Sequence, residues 1–274
     1  MTPSGSFYHY TKAKDSILGT KTMWFTNIDE ILDQEERKPV EDALRAFIAD
    51  NIPKHRLINN RVLNTLPIRG TRGKYGCADT VSALFRHYDE GTFKEGKYWF
   101  QYLFCFSKTK SDALFERFEA TGMIDFPPSF MKSFYKRVSR FPDIKCGDVS
   151  YDEAECKLKT EELLNAMLDD LEKKAEEKSD DLTIEDCMKC FGKYYTYLYE
   201  VFIFYKTDRF CVEDEFRVVI ELSRNDRDWL LAGEKGKDLN GTLVPVFPGI
   251  PVSFENDAKH LVVDFSMLDW SEVI

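Results

Sequence analysis

Tyr98-Trp99-Phe100-Gln101-Tyr102-Leu103-Phe104-Cys105-Phe106-Ser107 is a nearly continuous aromatic and aliphatic run. A run this short, and this rich in residues that favour pleated backbone, is predicted to be a strand buried on both faces. Working outward, Phe216–Leu222 (FRVVIEL) is a β-branched strand, Ser6–Thr11 (SFYHYT) alternates aromatic and polar residues, and Lys21–Thr26 (KTMWFT) repeats the aromatic signature. Gly241–Phe247 and Leu261–Phe265 are shorter strands near the end. Helical patterns fill the rest: Ala13–Leu18, ended by Gly19; Asp29–Asp50, despite Pro39; Ser111–Thr121; Ser129–Ser139; Asp152–Lys178; and Thr183–Lys206. Strands at both ends with helices between them make an α+β pattern. No Pro/Gly/Ser linker is long enough to separate two cores. The economical reading is therefore a single domain, residues 1–274, with a helical insertion at about 111–206.

The chain has 274 residues, 43% hydrophobic, 31% charged and 14% aromatic, and a disordered chain would be depleted in aromatics. Its net charge of −10 argues against general nucleic-acid binding, which needs a positive surface. The charge is uneven. Tyr151–Cys190 holds 14 acids against 6 bases, whereas Asn51–Ala78 carries Lys54, Arg56, Arg61, Arg69, Arg72 and Lys74 with no acid. The first is most simply a solvated helix face; the second reads as a surface loop, or as a cradle for an anionic substrate. No apolar run approaches the roughly 18 residues of a membrane-spanning helix, and the opening lacks a basic region followed by an apolar one. A cytoplasmic protein with no membrane partner is the expectation.

Seven cysteines (Cys77, Cys105, Cys146, Cys156, Cys187, Cys190 and Cys211) are expected to be reduced, packed as small hydrophobes. Cys187 and Cys190 form a lone Cys-x-x-Cys with no second pair at ligand spacing, so one face of a helix is the simpler reading and no metal is expected. Phosphate-binding glycine loops, GxSxG, HExxH and EF-hand patterns are all absent, which removes several enzyme classes.

Two places carry chemistry. His9 sits in Phe7-Tyr8-His9-Tyr10-Thr11, and a polar ring in an aromatic strand must either find a buried partner or face a cleft. Glu213-Asp214-Glu215-Phe216-Arg217 precedes the β-branched strand. In an extended chain Glu213, Glu215 and Arg217 share one face; a Glu–Arg pair there could be structural, and two glutamates repel unless water or a ligand relieves them.

In this order the pieces resemble the ADP-ribosyltransferase-like superfamily, and most closely a broad bacterial and phage family of uncharacterised domains. Its members open on a His-Tyr-Thr strand, here His9-Tyr10-Thr11. An aromatic strand follows, ending here in Trp24-Phe25-Thr26-Asn27, and then a Cys-Phe-Ser strand end, Cys105-Phe106-Ser107. A Lys-containing stretch (Lys206) and a Glu-x-Glu-aromatic-Arg strand come last. The resemblance covers roughly residues 6–265. Two positions depart from it: Asn27 is followed by Ile28-Asp29-Glu30 rather than Asp-Pro, and Phe115 stands where relatives often carry Trp.

The resemblance implies a split β-sheet that binds NAD as substrate. His9 would hydrogen-bond the adenosine ribose, and the backbone of Tyr10 would hold the carboxamide. Tyr8, Tyr10 or Phe25 would stack on nicotinamide, Thr26 or Ser107 would order the cleft, and Thr11 and Asn27 would belong to the NAD-binding set. Glu215, with Glu213 second, would be the catalytic acid, and Arg217 would hold a carboxylate in place. Breaking the nicotinamide–ribose bond develops an oxocarbenium-like charge that an ionised glutamate stabilises. The implied activity is transfer of ADP-ribose to a macromolecular acceptor, protein or nucleic acid, in a toxin or phage-defence setting, with an antitoxin or chaperone as a further partner. An inactive binding module and an NAD glycohydrolase are the alternatives.

Overall fold

The aromatic run forms the central strand of an antiparallel sheet. The structure, a computed structural model, describes residues 5–28, 38–51, 99–141, 143–178, 183–231, 236–237, 243–244 and 250–274. In chain order the strands are β1 (Phe7–Thr11), β2 (Thr22–Asn27), β3 (Trp99–Ser107), β4 (Gly122–Phe126), β5 (Asp143–Asp148), β6 (Glu215–Ser223), β7 (Gly236–Lys237), β8 (Leu243–Val244), β9 (Val252–Glu255) and β10 (His260–Asp264). The helices are α1 (Lys14–Thr20), α2 (Lys38–Asn51), α3 (Ala113–Arg117), α4 (Pro128–Val138), α5 (Glu153–Glu177), α6 (Ile184–Phe204) and α7 (Arg224–Leu231). The chain is thus α+β, and it divides into two compact units: residues 1–32, 97–149 and 209–274, and residues 33–96 and 150–208. The stretch read as a helical insertion divides at the same boundary. Its portion up to Val149, with α3, β4, α4 and β5, belongs to the first unit.

All strands but β7 and β8, which pair with each other, make one eight-stranded sheet. Its path is β4-β1-β3-β2-β10-β9, with β6 on the other edge of β3 and β5 beyond β6. Side chains alternate between faces along a strand. One face carries the core: Phe104 and Phe106 of β3, Phe7 of β1, Phe25 of β2, and Phe216 and Val218 of β6. Phe106 sits among Phe7, Phe104, Phe126 and Phe134, with ring centroids 4.9–5.7 Å away. Helix α4, opened by Pro128 where a missing N–H costs nothing, supplies Phe130 and Phe134 to the same cluster.

The second unit is a helical cluster. Val40 and Phe47 of α2 pack with Leu164, Met167 and Leu168 of α5 and Leu198 of α6. Asp152 caps α5 by accepting from the backbone N–H groups of Ala154 and Glu155, and Thr183 with Asp186 forms a capping box at α6. Pro39 falls in the first turn of α2, where proline is tolerated. Cys187 and Cys190 are both buried in this core, and the Cys190 thiol reaches the Met167 carbonyl.

The sequence pattern identifies β1, β2, β3, β6 and β10 but passes over β4, β5 and β9. Those three are the sheet's edges. Edge strands are kept short or polar, which erases the alternation that marks a strand; β5, Asp-Ile-Lys-Cys-Gly-Asp, is an example. The basic stretch after Asn51, the region before Lys38, and all of Gly241–Phe247 except Leu243–Val244 lie outside the described residues.

Replacing Phe106, which is 1% exposed, with Ala should cost about 3–5 kcal/mol of stability through the cavity left behind. Denaturant unfolding checks this, and a cost below about 1 kcal/mol would show that the site collapses or was never packed.

Candidate functional site

One edge of β3 is claimed by two strands. β1 pairs with it through Tyr8↔Ser107, and β2 through Thr26↔Leu103 and Asn27↔Tyr102. Continued two residues along its own register, β1 would set Tyr10 opposite Cys105, and β2 would set Trp24 opposite the same residue. Paired strands need about 4.8 Å each, so both cannot be there. β1 turns away to β4 and β2 to β10, and the sheet opens at Cys105. The Cys105 carbonyl is met instead by a side chain, His9, whose Nδ1 lies 3.0 Å from it.

That contact fixes the imidazole. A carbonyl only accepts, so Nδ1 carries the proton. Burial lowers the His9 pKa to about 4, against the opposing pull of the Cys105 hydrogen bond, so the ring is neutral at pH 7. Nε2 is then an acceptor, and it makes no hydrogen bond among the described residues. The ring lies against Phe104 at 4.4 Å.

Glu215 is two strands away. Tyr8, Ser107 and Glu215 are successive partners across β1, β3 and β6, and their side chains leave the same face. The row spans about 10 Å between its outer Cα atoms. His9, next to Tyr8, leaves the other face, with Phe7 and Phe104. β1 and β6 lie on either side of β3, and the pleat directs the imidazole and the carboxylate to opposite faces of the sheet, not to one shared side.

Arg217 is 2% exposed and Glu215 5%. The guanidinium grips the carboxylate with two hydrogen bonds, Nε to Oε1 and Nη2 to Oε2, both 3.1 Å. This fork-to-fork pair is the strong form of a charge-assisted hydrogen bond, and breaking a buried pair typically costs 3–5 kcal/mol. The same face holds a second buried acid, Glu221, bonded by Gln101 and by Lys145.

Glu213 corrects the extended-chain reading. Asp214 has φ 39°, a left-handed backbone, so the chain is not extended there. Glu213 ends a 3-10 segment, Asp208–Glu213, and its carboxylate accepts from Arg117 of α3 rather than sharing a face with Glu215. Each glutamate therefore has its own arginine. Arg117 also lies over the Phe210 ring, 4.6 Å from its centroid.

The remaining candidates separate. Tyr10 is buried; its Oη accepts from the Ser111 N–H at 2.7 Å, and its ring meets Phe115 edge-on. Ser107 closes a turn by donating to the Thr109 carbonyl, 2.8 Å. Thr11 accepts from the Ala13 N–H, a local turn contact. Phe25 is wholly buried against Phe104, and Asn27 is buried on the core face beside it. Thr26 lies on the Glu215 face, 3.4 Å from His260. Lys206 belongs to the helical unit, its N–H donating to the Ser150 carbonyl.

Sequence reasoning passed over Lys108, Thr109 and Asp148. Lys108 bridges Asp148 (3.0 Å) and Asp214 (3.1 Å). Partial burial opposes its charge, but these two carboxylates outweigh that and raise its pKa. The signal available was weak: a Lys-Thr pair directly after Ser107.

Among the described residues no group of three or more His, Cys, Asp or Glu could hold a metal ion, and no helix is long and apolar enough to cross a membrane. Compared with known proteins, the chain matches no family model, no curated protein and no solved structure.

The lowered His9 pKa has a signed consequence. Above pH 6.5 folded and unfolded chains both hold it neutral. Below that the unfolded chain takes a proton that the folded chain refuses until about pH 4, so stability is lost as pH falls through this window. His9→Asn keeps a donor for Cys105 but cannot titrate. Between pH 7.5 and 4, unfolding titrations should show the wild type losing up to about 3 kcal/mol more than the variant. Parallel profiles would contradict the neutral assignment.

Proposed function

We propose that this chain is an NAD-dependent ADP-ribosyltransferase with an ADP-ribosyltransferase-like split sheet as its core. The observation that carries the reading is the opening at Cys105, with the Tyr8–Ser107–Glu215 row on one face of the sheet and the acceptor nitrogen of His9 on the other. NAD is the substrate.

In this reading a ribose hydroxyl donates to His9 Nε2, and the backbone of β1 at Tyr10 meets the carboxamide. Glu215 stands beside the nicotinamide ribose. As the C1′–N bond breaks, nicotinamide leaves with the bonding electrons and positive charge grows on the ribose. A carboxylate already oriented by Arg217 stabilises that charge without reorganising. The acceptor's nucleophile then attacks C1′ and loses its proton. Glu213, held by Arg117, is the second acid and the candidate general base. The acceptor is a macromolecule, protein or nucleic acid; water in its place makes the enzyme a glycohydrolase. A toxin or defence role, with an antitoxin or chaperone as partner, follows only by analogy with proteins of similar motif order.

One observation favours a second reading, a non-catalytic NAD-binding module. Both oxygens of Glu215 are engaged by Arg217, and the pair is buried. A carboxylate so held serves the sheet's stability whether or not it meets a ribose.

Labelled NAD separates the readings. The transferase should release nicotinamide and leave label on a macromolecule, and Glu215→Gln should slow release on the order of a hundredfold or more. Wild-type turnover in that variant removes Glu215 from the chemistry. NAD binding without any release supports the module.

A further inference from the structure

We infer that Asp214 is a positioning residue: clamped by Lys108 and Thr109, it holds Glu215 in place relative to Ser107 and Tyr10. This rests on the NAD-cleaving reading above.

Three facts converge on it. First, Asp214 carries the left-handed backbone that ends the 3-10 segment and starts β6 at Glu215, so its conformation sets where the glutamate emerges. A non-glycine residue there costs about 1–2 kcal/mol and persists only when its surroundings hold it. Second, the surroundings do hold it. Thr109 Oγ1 donates to Oδ2 (2.7 Å), Lys108 Nζ pairs with Oδ1 (3.1 Å), and the Lys108 N–H donates to the Asp214 carbonyl (2.9 Å). Lys108 is anchored in turn on Asp148, at the end of β5. Third, the clamp is wired to the other candidates. The Thr109 N–H donates to Ser107 Oγ (3.2 Å), and the Thr109 carbonyl accepts from Ser107 Oγ (2.8 Å) and Tyr10 Oη (3.4 Å). One loop residue thus joins β1, the end of β3 and the start of β6.

The clamp is partly solvent-exposed: the Lys108 and Asp214 side chains are 34% and 41% accessible. Ion pairs this exposed add little to stability, so losing them should shift the glutamate without unfolding the chain. A displacement of about 1 Å at a reacting group can cost a hundredfold in rate.

The test measures nicotinamide release from NAD by the full chain and by Asp214→Gly, Lys108→Met and Lys108→Arg. Glycine keeps the left-handed backbone without steric cost and removes only the clamp. In Asp214→Gly and Lys108→Met, kcat should fall by about ten- to a hundredfold, with KM for NAD and the melting temperature close to wild type. Lys108→Arg should recover most of the rate. Wild-type kcat in Asp214→Gly, or equal losses in Lys108→Met and Lys108→Arg, would overturn the inference alone. A wild-type chain that binds NAD and releases no nicotinamide would overturn the reading beneath it, and this inference with it.

Discussion

Only one strand can lie beside Cys105 on this edge of β3, and two strands approach it. Everything at the candidate site follows from how that competition is resolved. Had β1 kept its register along β3, it would run past Cys105 to Phe104, directly beside the β2 ladder at Leu103 and Tyr102. Instead each strand keeps a short ladder and departs, and an imidazole bonds the Cys105 carbonyl. The substitution is specific. A hydrophobic residue at position 9 would lose this hydrogen bond, at about 1 kcal/mol.

The two faces of the sheet obey different physics. The core face is a web of aromatic rings in edge-on and tilted contacts, where area and packing dominate. The opposite face buries charge, and there two buried acids are matched: Glu215 by Arg217, Glu221 by Lys145 and Gln101. Buried charge of this kind is tolerated only when paired, so the Glu215–Arg217 pair is kept together. It also keeps Glu215 in a single orientation, which is the property that electrostatic catalysis asks of a carboxylate.

Much of this was legible in the residues. The aromatic and β-branched strands announced themselves because they are interior and their pattern is undiluted. The alternation of a strand correctly put Glu215 and Arg217 on one face. The environment of His9 called for a partner, and it has one. What escaped was what tertiary contacts decide. The edge strands β4, β5 and β9 are short or polar, so nothing local marks them. The turn at Asp214 is imposed by Lys108 and Thr109, more than a hundred positions earlier, so period-two reasoning ran on through Glu213 and mispaired it. The pleat also separates His9 from Glu215, which follows only once Tyr8, not His9, is known to face Ser107.

Nitrogen-15 NMR of the His9 ring tests the account most directly. The spectrum should show a protonated Nδ1 and an unprotonated Nε2 at neutral pH, and added NAD should move Nε2 while leaving Nδ1 as it was. An Nε2 resonance that stays fixed as NAD rises to millimolar concentration, or a proton found on Nε2 instead, would contradict it.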